Sequence, residues 1–195
     1  MNETTKFTSL TFQPLTSERW DDFETVFGPR GATGGCWCMW NRLTNKEFEA
    51  QKGEGNRRSM KGIVESGHVP GILAYDGDEP VGWCSIAPRD DFPRLDRSRI
   101  LKRIDDQPVW SITCFFIPRQ HRRKGVMTLL LKGAVDYAVS QGATIIEGYP
   151  VEPKKDTYPD TFAWHGLAES FRAVGFKEVA RRSETRPFMR YYIEE

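Results

Sequence analysis

The chain has 195 residues, enough for one domain with a substantial core. Its 28 Lys and Arg nearly cancel its 27 Asp and Glu, which excludes the globally basic signature of a nucleic-acid binder. No apolar run approaches the roughly 18 residues of a membrane span, and Met1 to Lys6 lacks a signal peptide's apolar core. The expectation is a cytoplasmic protein with no membrane and no nucleic-acid partner.

Phe7 to Pro14 reads as a first strand, and Thr16 is a candidate N-cap for a helix carrying Trp20, Phe23, Val26 and Phe27 on one face. Gly28 to Gly35 is too rich in glycine for regular structure and delivers the patch Cys36-Trp37-Cys38-Met39-Trp40. Thr44 and Glu47 form a capping box that starts a second helix, and Asn56 to Ser66 is a further helical stretch stopped by Gly67. Gly71 to Tyr75 and Pro80 to Ala87 flank a turn and read as a hairpin. A charged loop covers Pro88 to Arg99.

Val109 to Ile117 carries no charge, so it is expected to be a central strand buried on both faces. The helix Met127 to Val139 follows, with Thr128, Lys132, Asp136 and Ser140 on its wet face. Gly142 ends it. Ala143 to Val151 is the next strand, Thr161 to Val174 a helix stopped by Gly175, and Phe176 to Arg181 and Phe188 to Ile193 two closing strands. The cysteines at 36, 38, 84 and 114 lack the spacing of a disulfide framework or of paired zinc ligands, so no metal is expected.

The junction between the apolar strand and its helix holds Arg119, His121, Arg122, Arg123, Lys124 and Gly125. The first N–H groups of a helix have no intrahelical partner and lie at the positive end of its dipole. An anion such as a polyphosphate is favoured there, and the cations add to the attraction.

Two motifs carry a resemblance to the GNAT superfamily of acyl-CoA-dependent N-acetyltransferases. Arg122-Arg123-Lys124-Gly125-Val126-Met127 resembles its pyrophosphate loop, and Ala168 to Phe176 resembles its later segment, in which a helix ends at Gly-Phe. The order of elements agrees over residues 70 to 193. The resemblance implies an α/β fold: a mixed, mostly antiparallel sheet with helices on both faces and a central splayed parallel strand pair. It implies one domain over 1–195, with a variable acceptor side in 1–70 and an acetyl-CoA-binding core in 71–193. Acetyl-CoA would be the co-substrate. The backbone of Phe115, Phe116 and Ile117 would hold its pantetheine arm, and Arg122, Arg123, Lys124, Gly125, Val126, Met127 and Thr128 its pyrophosphate. The acceptor amine would attack the acetyl carbonyl directly in a ternary complex, with a backbone N–H near Phe116 meeting the oxyanion.

The sequence departs from this pattern at three points. Met127 stands where Gly or Ala usually lets phosphates approach. Phe171 stands where many members carry a tyrosine acid, and the strand 109–117 has no catalytic glutamate. Glu147, on the following strand, is the candidate general base, and Tyr149 the candidate acid. His165 and Cys114 read more simply as structural residues. Trp37, Trp40, Trp83 and Arg89 are the candidate acceptor pocket, and core filling is the equal alternative for the tryptophans.

The expected activity is N-acetylation of a primary amine of a small molecule: an amino-acid-like metabolite, a polyamine or an amino-bearing antibiotic. The alternatives are a protein N-terminal or lysine acetyltransferase and a non-catalytic acyl-CoA-sensing module. Assembly as a homodimer is compatible with each of these.

Overall fold

The computed structural model describes residues 7–154 and 164–193. Seven strands form one sheet in the order β1-β2-β3-β4-β5-β7-β6. They are β1 (Thr11–Pro14), β2 (Gly71–Asp76), β3 (Glu79–Pro88), β4 (Trp110–Phe116), β5 (Ile145–Gly148), β6 (Lys177–Ser183) and β7 (Arg186–Tyr192). All neighbouring pairs are antiparallel except β4 and β5. The mixed sheet anticipated from the sequence, with its central parallel pair, is the one observed.

Helices cover both faces because the hydrophobic residues of β2 to β4 alternate between two clusters. One cluster joins Ile72, Ala74, Val81, Cys84 and Phe115 to Leu130, Leu131 and Ala134 of α5 (Val126–Ser140) and Phe171 of α6 (Ala168–Val174). The other joins Leu73, Tyr75 and Trp83 to Trp20, Phe23 and Phe27 of α1 (Trp20–Phe27), and to Phe48 of α2 (Asn45–Gln51) and Met60 of α3 (Glu54–Glu65). The single-turn α4 (Pro93–Asp96) helps close a third cluster around Phe92, Leu95, Tyr149 and Phe188.

Local signals mostly hold. Thr44 and Glu47 form both bonds of the capping box, and Gly67, Gly142 and Gly175 turn left-handed after their helices. Thr16 accepts from Arg19 rather than capping α1, because a 3-10 turn, Ser17–Arg19, intervenes. Helix α6 starts at Ala168; the anticipated start at Thr161 lies outside the described residues. Strand β5 is shorter than anticipated, and Val151 makes only an isolated parallel bridge to Leu167.

The parallel pairing is brief. Trp110, Ser111 and Ile112 oppose Ile146, Glu147 and Gly148, and the register goes no further. On its other side β4 stays paired to β3 as far as Phe116, after an irregularity between Ser85 and Ile86. The segment Thr113 to Phe116 is therefore hydrogen-bonded to a strand on one edge only.

Candidate active site

Two cavities meet on that open stretch of β4. The first, of about 270 Å³, runs along the strand-to-helix junction and is lined by Phe115, Phe116, Ile117, His121, Arg122, Arg123, Gly125, Val126, Met127 and Thr128. The second, of about 370 Å³, lies toward the N-terminal half, among Phe27, Cys36, Cys38, Trp40, Asn41, Phe48, Cys114 and Phe116. Thr33, Phe115, Phe116 and Trp164 border both.

The first cavity owes its shape to backbone. Gly125, at the N-cap of α5, has φ 84 and Arg123 has φ 61. A left-handed Gly costs little, whereas a left-handed Arg is held there by its surroundings. The turn is tied down by Arg122 Nε donating to the Ile117 carbonyl at 2.8 Å and by Phe7 N–H donating to the Lys124 carbonyl at 3.0 Å. The first N–H of α5 to find a helical acceptor is that of Leu129, on Gly125. Among the described residues no backbone acceptor takes the N–H groups of Val126, Met127 or Thr128. This is a concave, cationic, donor-rich site suited to a polyanion. Met127 is partly buried against the core and does not close it.

The cleft does not include the candidate acid and base. Glu147 and Tyr149 are 1 % and 0 % exposed, and neither lines either cavity. Strand alternation sends both side chains to one side of β5, where Glu147 accepts from Arg89 at 3.0 Å, Tyr149 at 2.9 Å and Arg190 at 2.6 Å. Asp96 and Asp105 balance the outer ends of the two arginines. Burial and the Glu147 charge push the Tyr149 phenol far above its ordinary value. This is a sealed ion network, so the placement of Glu147 and Tyr149 in the cleft is corrected.

Arg89 belongs to that network, not to an acceptor pocket. Trp83 is fully buried and Trp37 stacks on Phe27 with centroids 5.8 Å apart, so both fill core. Trp40 alone of the three lines the second cavity, edge-on to Phe48 and with the Arg94 guanidinium over its ring. His165 is buried against Trp164 and burial holds it well below its ordinary value, in keeping with a structural role. Among the described residues no group of His, Cys, Asp or Glu is arranged to hold a metal ion.

Sequence reading missed Trp164, Asn41 and Phe27. Trp164 had one signal: a tryptophan immediately before the buried His165, upstream of α6. The other two lie in stretches whose partners are remote in sequence.

Comparison with known proteins agrees with this geometry. Residues 37–157 match the model of the acetyltransferase (GNAT) family. No curated protein sequence matches the chain. Among solved structures, a GNAT-family acetyltransferase from Listeria monocytogenes superposes with a TM-score of 0.58 at 9% identity, covering 94% of this chain and 95% of that one. One from Streptococcus agalactiae gives 0.57 at 9% identity, covering 98% and 100%. The PaiA N-acetyltransferase from Thermoplasma acidophilum, solved in complex with coenzyme A, gives 0.52 at 13% identity, covering 95% and 100%. With the family model spanning more than half of the sequence, the chain belongs to the GNAT acetyltransferase family.

Proposed function

We propose that this protein transfers the acetyl group of acetyl-CoA to a primary amine of a small molecule, by direct attack in a ternary complex. The observation that carries the reading is the meeting of the two cavities at Phe115 and Phe116. The cationic cradle suits a pyrophosphate, and the coenzyme A held by the Thermoplasma relative supports that ligand class. The N–H groups of Val126, Met127 and Thr128 would hold the phosphates, and the free edge of Thr113 to Phe116 would take the pantetheine arm as a strand would. When bound, the thioester supplies an activated acetyl group.

The second cavity would then receive the acceptor. Its volume falls in the range typical of small-molecule sites, and Phe27, Trp40, Phe48, Phe116 and Trp164 give it aromatic walls. Ring faces attract cations, which suits an amine that arrives protonated. Residues 1–70 would form the acceptor side and 71–193 the donor core of one domain. No described helix is long and apolar enough to cross a membrane.

Thiol release from acetyl-CoA, followed over spermidine, tryptamine, an aminoglycoside, free amino acids and unblocked peptides, tests the reading. Release with small amines supports it. Release with peptides alone would make the protein a peptide or lysine acetyltransferase. Coenzyme A binding without release on any amine would make it a sensing module.

A further inference from the structure

Three cysteines, Cys36, Cys38 and Cys114, line the cavity of about 370 Å³. Cys38 is set apart by its surroundings. It and the preceding Trp37 both have left-handed backbone, with φ 46 at Trp37 and 61 at Cys38. In side chains other than glycine such a conformation costs energy, and it concentrates where a functional group must be held in place. What is held here is a sulfur packed against the sheet face carried by Trp83, Ser85, Cys114 and Phe116, which oppose one another across β3 and β4.

Trp83 Nε1–H, which can only donate, points at Cys38 Sγ from 3.2 Å. Cys114 and Ser85 lie beside that sulfur, the Ser85 hydroxyl donating to the Pro70 carbonyl at 3.5 Å. An indole N–H aimed at a sulfur favours its thiolate. The groups facing it from the surrounding elements are Cys114 on β4, Cys36 on its own loop and Arg42, which pairs with Asp91; Cys84 on β3 points to the other face of the sheet. Glu49 and Lys52, in the same cavity wall, pair with each other. The neighbouring Cys114, aided by Trp83, holds the Cys38 thiol below its ordinary value despite burial, whereas burial pushes Cys36 up to about 11. Asn41, 5 % exposed, lines the cavity too, and its side-chain amide has no hydrogen bond among the described residues. An amide in a cavity wall can both donate to and accept from a polar ligand.

We propose that Cys38 is the general base of the transfer, accepting the proton that the acceptor nitrogen loses as it bonds to the acetyl carbonyl carbon. The proposal rests on the acetyl-transfer reading given above. The N–C bond forms while the thioester C–S bond breaks, its electron pair leaving on sulfur. An acceptor that enters as its ammonium form first gives one proton to solvent; the proton lost on bond formation moves to Cys38 Sγ and from there, by way of the neighbouring Cys114, to the departing sulfur. Amide and free thiol are the products, and no other reactant enters. Asn41 is placed to receive the acceptor. This assigns the proton transfer that the sealed Glu147 and Tyr149 cannot perform.

Two measurements on the whole protein and its Cys38→Ser variant test the assignment. Ultraviolet thiolate absorbance, titrated without substrate, should lose one thiol that ionises below the ordinary value of about 8.5; identical titrations would overturn the proposal. With the amine that turns over in the panel, kcat should fall roughly 10²-fold or more and the acidic limb of the pH profile should disappear, while calorimetric affinity for coenzyme A is retained. Turnover with an unmoved acidic limb overturns the role of Cys38 and leaves the acetyl-transfer reading intact. Failure of every amine overturns both. Acetyl transfer onto Cys38, seen by peptide mass mapping before amine is added, also overturns it, in favour of a nucleophile. Should the serine variant not bind coenzyme A, iodoacetamide on the native protein replaces it: Cys38 should be alkylated first, and faster alkylation at Cys36 or Cys114 refutes the assignment.

Discussion

Arg89 and Glu147, 2 % and 1 % exposed, meet at 3.0 Å across the parallel pair, at the level where β4 and β5 are still joined. Arg190 approaches the same carboxylate from β7. Two guanidiniums thus share one buried acid, each with a partly exposed aspartate at its outer end, and beyond it the strands part.

Removing that acid should damage the fold and leave the chemistry alone. Glu147→Gln leaves two buried cations short of a partner, a loss of about 3–5 kcal/mol. Urea denaturation should report it. The acidic limb of the pH–rate profile should stay where it is in the native protein; its displacement would return Glu147 to the catalytic machinery.

At Gly125 the left-handed φ of 84 leaves space for a Cβ but penalises one conformationally. A glutamate there bears about 1–2 kcal/mol of backbone cost and adds an anion at the mouth of the cradle. Gly125→Glu is expected to weaken coenzyme A binding at least about tenfold, since each ~1.4 kcal/mol is a factor of ten. Unchanged calorimetric affinity would move the phosphate site elsewhere.

Phe171 is fully buried, edge-on to Phe115 and Phe176, and a Cβ on Gly148 would come within 2.0 Å of its ring. It is a wedge beside the splayed strands, with no proton to give. Phe171→Ala should cost about 3–5 kcal/mol of stability, yet turnover measured well below the melting temperature should persist. A specific loss of kcat with normal stability would contradict this account.

Trp40 should matter to the acceptor and not to the donor. In Trp40→Ala the KM for the amine is expected to rise about tenfold, or ~1.4 kcal/mol, with coenzyme A affinity unchanged in calorimetry. Equal losses for both ligands would show that the two cavities do not divide the substrates.

The pH dependence of stability should carry the mark of His165. Burial holds its folded value well below that of the unfolded chain, so the unfolded state binds more protons and stability rises with pH. The contribution is complete above the unfolded value of about 6.5 and is lost as the pH falls below it. Asp105 and Glu152, lowered by their arginine partners, act only nearer pH 4. The melting temperature should therefore drop between about pH 7.5 and 5.5, and His165→Gln should flatten that interval. An unaltered slope would assign the effect to other groups.

The donor half of this site was legible because its signals are local. Gly125, the cations before it and the apolar periodicity of α5 lie within a few turns of one another, and on the proposed reading backbone amides would do the binding whatever the side chain at Met127. The acceptor half was not. Trp37, Trp40 and Trp83 are alike as residues, and only the path of the loop between α1 and α2 sends Trp40 to the cavity and the other two inward. Glu147 misled for a similar reason: its position on β5 was read correctly, but the two arginines that bury it arrive from residues 89 and 190. Cys38 gave no sign at all, since the Trp83 N–H that distinguishes it lies on another strand.

The division of the walls has an evolutionary consequence. The cradle is drawn mostly from residues 115–128, completed by Thr33, Trp164, Leu167 and Ser170, whereas most of the second cavity's wall comes from residues 27–52. On the proposed reading, selection can therefore rewrite the guest list of this protein in the loop ahead of α2 while the donor's contacts, Thr33 excepted, stay as they were. Among the described residues only Thr33, Phe115, Phe116 and Trp164 border both cavities, and on that reading drift at those four positions is the drift that would silence the protein rather than retune it.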